Sequence, residues 1–437
     1  MSFEGNELYH IEERIGESPY IKSYYAKIQH KGLERLLLLK DFDQENLQRR
    51  IKEQLGTWDT IWKLEQYKKD NEPNSIYNHE FADQLTALAK SNLKLVKDIL
   101  LESLNTEIQL DWERLKDYSI FPISNPEPTL LAEIDDIPFP VEPLFKELPM
   151  EPDEERFTPQ LGFFDKLFAA RGKQKKDEAE SALKNAKDRW EAEVTRIEAE
   201  NRELRNDYLS KLAEAETLKK TLIEQCEQKV NEWHRLYREF TDKKNRHNNA
   251  IDQWKRDFSA GKEKAVNAYY DFILHYSAYP DVVSKIFELT FKENENLLVV
   301  DYLLPVPRQF PNVSEVRFIP PRGILKDYYL SDRQFSRLYN DAVFKMALRT
   351  LYEVFKTDDS GTVKELVYNG WVADERSEDS DPRCLISLKV SKEDFAALNL
   401  QYVDAKTCFE QLNGRVTDDL IFMNPVEPFV LTRVAFS

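Results

Sequence analysis

Eleven glycines in 437 residues, none spaced as GxG, exclude the loops whose backbone amides close around a phosphate, so P-loop and Rossmann readings fail. Only three cysteines are present, Cys226, Cys384 and Cys408, far apart and without a CxxC pair. Neither a zinc knuckle nor a disulfide framework follows, and they read as buried thiols in a reducing compartment. Six histidines do not support a metal site built from several of them. HExxH, GxSxG and a His–Cys pairing that would mark a nucleophile are all missing. No catalytic residue, metal or cofactor is indicated, which points away from an enzyme. No window approaches the roughly 18 apolar residues needed to span a bilayer. The segment Met1 to His10 is acidic and polar, with no basic region leading into an apolar one, so a cytoplasmic protein without a membrane span is expected.

What is present is charge. A net charge of −17 opposes indiscriminate binding to nucleic acid, so any contact with DNA has to be made by a local basic patch. The length exceeds what one core usually serves, so two or three domains are expected.

Residues 1–120 read as a mostly helical N-terminal module. Leu8 to Ile15 and Leu36 to Leu39 are strand-like, and Asp43 to Tyr67 favours helix. From Phe81 towards Tyr118, Leu85, Leu88, Leu93, Val96, Ile99, Leu100 and Leu104 recur mostly every three or four residues, one apolar helix face. Nine prolines between Pro122 and Pro159, with acidic neighbours such as Asp135, Asp136, Glu154 and Glu155, predict an extended linker over 121–160.

Residues 161–262 form a helical arm. Positions 173–260 contain neither Gly nor Pro, and Trp190, Val194, Ile197, Leu204, Tyr208, Leu212, Leu218, Leu222, Cys226, Val230, Trp233 and Leu236 trace a narrow seam. That pattern suits a coiled coil. Unbroken, the helix would reach on the order of 130 Å at about 1.5 Å per residue. The rhythm lapses at Asn245 to Asn249, where a turn could fold the arm into a hairpin; pairing between copies into a homo-oligomer is the equal alternative.

Residues 263–437 read as an α+β domain with antiparallel hairpins. A helix over Glu263 to Tyr276 is followed by a second short one before Phe287. Strands are expected at Phe287 to Phe291, Leu297 to Leu304 and Val313 to Ile319, then a helix over Ser331 to Phe355. A second hairpin runs from Val363 to Asp374 and from Cys384 to Val390, and Ser391 caps a short helix with Asp394 three residues on.

Several stretches bear on function. Glu227-Gln228-Lys229 and Gln66-Tyr67-Lys68 match the short half of a restriction-nuclease motif, but in helical sequence, the wrong scaffold for it. Lys40 after a strand-like run, with Glu53 on the next helix, echoes a kinase small lobe that lacks its glycine loop. Gln160 to Lys176 is an amphipathic knob, Leu161, Phe163, Phe164, Leu167 and Phe168 followed by Arg171, Lys173, Lys175 and Lys176. It can dock on its own domain or touch phosphate or lipid. Lys243, Lys244 and Arg246 share that ambiguity. Arg317, Arg322 and Lys326, with Phe318 and Tyr328 close by, are candidate contacts to nucleic acid or a partner. Asp301, Arg349 and Glu353 read as a buried ionic network.

Four segments, Leu297 to Pro305, Pro311 to Phe318, Ala347 to Phe355 and Tyr368 to Val372, resemble the region preceding the nuclease in bacterial Mrr-type restriction-system proteins. The proline-rich stretch, Gly162-Phe163-Phe164 and the charged arm are similar to the same layout, and the resemblance covers about residues 120 to 425. It implies a place in antiviral defence. In nuclease-bearing members a PD-(D/E)xK domain would begin after Pro425-Val426-Glu427-Pro428, so the free-standing form without a nuclease is expected and no catalytic residue carries over. A DNA- or partner-recognition and assembly module is therefore expected. The alternatives are a subunit of a nuclease complex whose catalysis comes from a partner of the same operon, and a purely structural coiled-coil scaffold.

Overall fold

The structure, a computed structural model, describes residues 8–16, 18–69, 76–106, 109–162, 169–373, 381–401, 404–432, 434 and 436. Its contacts divide the chain into two compact units, residues 1–118 with 244–437, and residues 119–243. The α+β class is as expected.

In the first unit, β1 (Tyr9–Gly16), β2 (Ser23–His30) and β3 (Arg35–Asp41) form an antiparallel meander in sequence order. Ala26 and Ile28 of β2 face Leu47, Ile51, Leu55 and Trp58 of α1 (Gln44–Lys69), positions that recur every three or four residues and so share one helix face. Strand β2 is absent from the sequence reading because three of its four buried positions, Ser23, Ala26 and His30, are small or polar and give its alternation little apolar signal.

The apolar face after Phe81 divides into two helices, α2 (His79–Lys97) and α3 (Ile99–Leu104), broken at Asp98 with φ −93° and ψ 6°. Leu93, Val96, Ile99 and Leu100 share one buried core with the C-terminal segment. The N-terminal module and the C-terminal domain, separate in the sequence reading, are therefore one folding unit.

Its centre is a five-stranded sheet in the order β10 (Arg415–Val416), β9 (Arg383–Ser391), β8 (Glu365–Val372), β5 (Leu297–Leu303), β4 (Phe287–Lys292). The expected hairpins β4–β5 and β8–β9 are antiparallel, while β5 and β8 run parallel. The long return through the hairpin of β6 (Val313–Ile319) and β7 (Ile324–Tyr329) and then α7 (Asp332–Thr357) allows that direction. A capping box, Ser331 with Gln334, starts α7, and Ser391 receives the Asp394 amide at the start of α8 (Lys392–Ala396), as its spacing predicted. A further short helix, α9, spans Ala405–Gln411. The helix expected before Phe287 is not formed; residues 277–286 are turn and extended chain. Leu298, Val300 and Tyr302 point into the main core, whereas Leu297 and Val299 meet Phe429 and Val430 on the opposite face.

Helix α5 (Ala169–Ser259) is continuous through Asn245–Asn249, so no hairpin turn forms there. The polar side chains bind neighbouring chain instead: Asn248 accepts from the Asp117 amide at 2.8 Å and donates to its carbonyl at 3.0 Å, and His247 Nε2 lies 2.8 Å from the Leu115 carbonyl. Gly261, at φ 66°, ends the helix in a Schellman motif, with Lys262 donating to the Asp257 carbonyl and Gly261 to that of Phe258. Helix α6 (Glu263–Tyr276) follows.

The second unit joins residues 169–243 of α5 to the proline-rich stretch, which is not a free linker. Phe121 packs on Trp233, Tyr237 and Phe240; Trp233 donates to the Ile123 carbonyl at 2.9 Å, and Trp190 to that of Pro149 at 2.8 Å. Between these ends, Lys219 lies over Phe139, Arg205 over Phe145, and Asn201 bonds both the amide and the carbonyl of Lys146. The stretch thus runs antiparallel along the seam that the sequence suggested for a coiled coil. Residues without a donor amide cannot build a sheet, but their carbonyls can accept from tryptophan. It is not wholly extended either: α4 (Glu127–Asp135) starts with Pro128 in its first turn.

Candidate partner-binding cleft

The predicted contact residues fall into two groups in different units. Arg171, Lys173, Lys175 and Lys176 lie exposed on the first turns of α5. The aromatic knob before them, Phe163 to Phe168, lies outside the described residues. Arg317 and Lys326 face each other across the β6–β7 hairpin, and Arg322 sits at its tip. Arg317 is already held by both oxygens of Glu315, at 2.8 and 2.7 Å, and lies 4.6 Å above the Tyr328 ring. Strand β7, missing from the sequence reading, brings Arg317 and Lys326 together.

The kinase-like pair does not form: Glu53 is exposed, and the buried Lys40 pairs with Asp271 of α6. Asp271 also accepts from the Tyr25 hydroxyl at 2.7 Å. Burial pushes the Lys40 ammonium down to about 7. Glu227 to Lys229 and Gln66 to Lys68 both lie in helices, α5 and α1.

Arg349 and Glu353, one turn apart on α7, do form a buried pair at 2.7 Å, 2% and 1% exposed. The Ser277 hydroxyl donates to Glu353 at 2.6 Å and receives from Arg349 at 2.7 Å, while Lys285 donates to the carbonyls of His275 and Ser277. Burial raises the Glu353 carboxyl, and the guanidinium beside it pulls the other way. Asp301 is not part of this network. It faces the other side of the sheet, where Asn369, Trp371 and Thr432 donate to it at 2.9, 2.8 and 2.6 Å and so pin the C-terminal segment there.

Beside Arg349 opens a cleft of about 1150 Å³, somewhat larger than the range usual for small-molecule pockets. Its walls are the β2–β3 turn, α1, α2, α3, the chain after α6 and the segment Arg308–Val313. The break between α2 and α3 shapes it. The Lys97 carbonyl, freed at the end of α2, is taken by Lys345 at 2.6 Å, and the Ile99 carbonyl at the start of α3 receives Arg349 at 2.8 Å, the two cations lying four residues apart on α7. The Tyr279 ring is part of its lining, with the Arg349 guanidinium 4.0 Å from its centre.

Along α2, Leu85 and Val96 are buried, but Leu88 and Leu95, which also line the cleft, remain 41% and 47% exposed. A helix already seated on the core would ordinarily turn polar residues outward, so this second apolar stripe requires a reason beyond folding. The sequence showed Leu88 within one apolar face; that Leu88 and Leu95 would face open space depends on the α2–α3 break, which no local signal marks. No family model matches this chain, and no curated protein or solved structure matches it either.

Proposed function

We propose that this chain is a non-catalytic recognition and assembly component of a bacterial restriction-type, anti-phage defence system, acting in the cytosol and holding a partner protein in the cleft of its first unit. One observation carries the recognition role: a large cleft with an apolar stripe, Leu88 and Leu95, that the fold itself leaves open. The defence setting rests on the resemblance of residues 297–372 to Mrr-type proteins. A partner from the same operon suits both, and a nuclease supplied by it is one form of the same reading. Helix α5 supplies the assembly arm; pairing between copies would use the leucines that the proline-rich strap leaves exposed, Leu204 and Leu218 of the seam and Leu209.

Direct DNA contact is the second reading, favoured by the facing cations Arg317 and Lys326. Binding through them would weaken steeply with salt. The test is plaquing efficiency in a host carrying the chain with its genomic neighbours, comparing wild type, Leu88→Asp with Leu95→Asp, and Arg317→Ala with Lys326→Ala. Protection lost only in the leucine variant supports a partner in the cleft. Loss only in the cation variant moves recognition to DNA, and no protection by wild type removes the defence role.

A further inference from the structure

The charges around the cleft specify its occupant, provided the cleft is the recognition surface proposed above. Each cation that lines it is committed: Arg35 to Asp281 at 3.4 Å, Arg308 to Glu34 at 3.4 Å, and Arg349 to Glu353 at 2.7 Å. Two lining carboxylates are not. Glu65 of α1 and Glu102 of α3 are exposed, and neither side chain has a hydrogen-bond or ion-pair partner among the described residues. The unspent charge of the cleft is therefore negative, and the net charge of the chain reinforces it.

The apolar part has a spacing of its own. Leu88 and Leu95 are seven residues apart, two turns on one face of α2, and Ile61 and Leu64 of α1 line the same cleft. Such a ridge complements side chains that recur at the same interval on another helix. We propose that the cleft takes a short amphipathic helix of a protein partner, its apolar face against Leu88 and Leu95 and its flanking lysines or arginines against Glu65 and Glu102. The committed cations leave nothing to receive an acidic flank, so an acidic helix of equal apolarity is rejected by unpaired repulsion.

The test is fluorescence anisotropy on the full chain at about 150 mM salt, where the Debye length is roughly 8 Å. The probes are two synthetic amphipathic helices with the same leucine face, one flanked by lysines and one by glutamates. The lysine peptide should bind at least tenfold tighter. Leu88→Asp or Leu95→Asp should cost it tenfold or more, and Glu65→Lys with Glu102→Lys should abolish its preference. Circular dichroism checks that each variant keeps its helix content. Equal binding of both peptides, lost in Leu88→Asp, would overturn the cationic occupant and leave the cleft standing. If neither peptide binds, or the leucine variants bind as wild type does, occupant and cleft reading both fall. Leucine-dependent binding to phosphatidylcholine vesicles in place of either peptide would reassign the stripe to a lipid surface and overturn the proposal.

Discussion

Arg349 is the residue on which the first unit turns, because it joins α7 to the start of α3, to Glu353 and to Ser277 at once. Removing one member of a buried pair leaves the other charged and unsatisfied. Arg349→Met should therefore cost about 3–5 kcal/mol in chemical denaturation, and adding Glu353→Leu should restore most of it. A double variant as unstable as the single one would mean that the bond to the Ile99 carbonyl, not the ion pair, matters. Lys285 tests the same region by pH. Burial holds its ammonium at about 8, below its ordinary 10.5, so the folded state binds fewer protons than the unfolded chain between those values. Its charged form thus costs most below pH 8, and the cost fades as pH rises to 10.5. Relative to Lys285→Met, wild type should gain up to about 3 kcal/mol across that window, measured as the difference between two urea-melt series. A flat difference would show that its two carbonyl partners fully compensate the burial.

Among the elements, the helices and hairpins with strong periodicity were legible, and so were caps such as Ser391 and the helix end at Gly261. What the sequence could not show was use. Asn245–Asn249 reads as a break because its polar residues interrupt the seam, yet those side chains bind residues 115–117 far away in sequence. The prolines read as a linker because composition reports what a segment cannot do, not which tryptophans will bind its carbonyls. Of the site, the paired Arg349 and Glu353 and Leu88 were visible in spacing, but Leu95, which falls outside the apolar rhythm of that face, and the cleft were not. The strap gives its own prediction. Trp190→Ala with Trp233→Ala removes both indole bonds to it, and limited proteolysis between Ile137 and Met150 should accelerate on the order of tenfold. Unchanged cleavage would mean that Phe121 and the charged contacts hold the strap without the indoles.

In the molecule as a whole, the two units differ in what they offer. The first unites the N-terminal meander, the break between α2 and α3 and the mixed sheet around one cleft, and the second supplies a strapped helical arm. The proposed function requires that Leu88 and Leu95 be kept apolar for a partner rather than for the fold. The most direct measurement compares Leu88→Asp with Leu95→Asp and wild type twice, by thermal unfolding and by titration with the lysine-flanked helix. Because only about half of each side chain is buried, the expected stability change is no more than about 1–2 kcal/mol per substitution, together with at least a tenfold loss of affinity. A variant that unfolds several kilocalories earlier while binding the peptide as wild type does would contradict it, making the stripe part of the core and the cleft incidental.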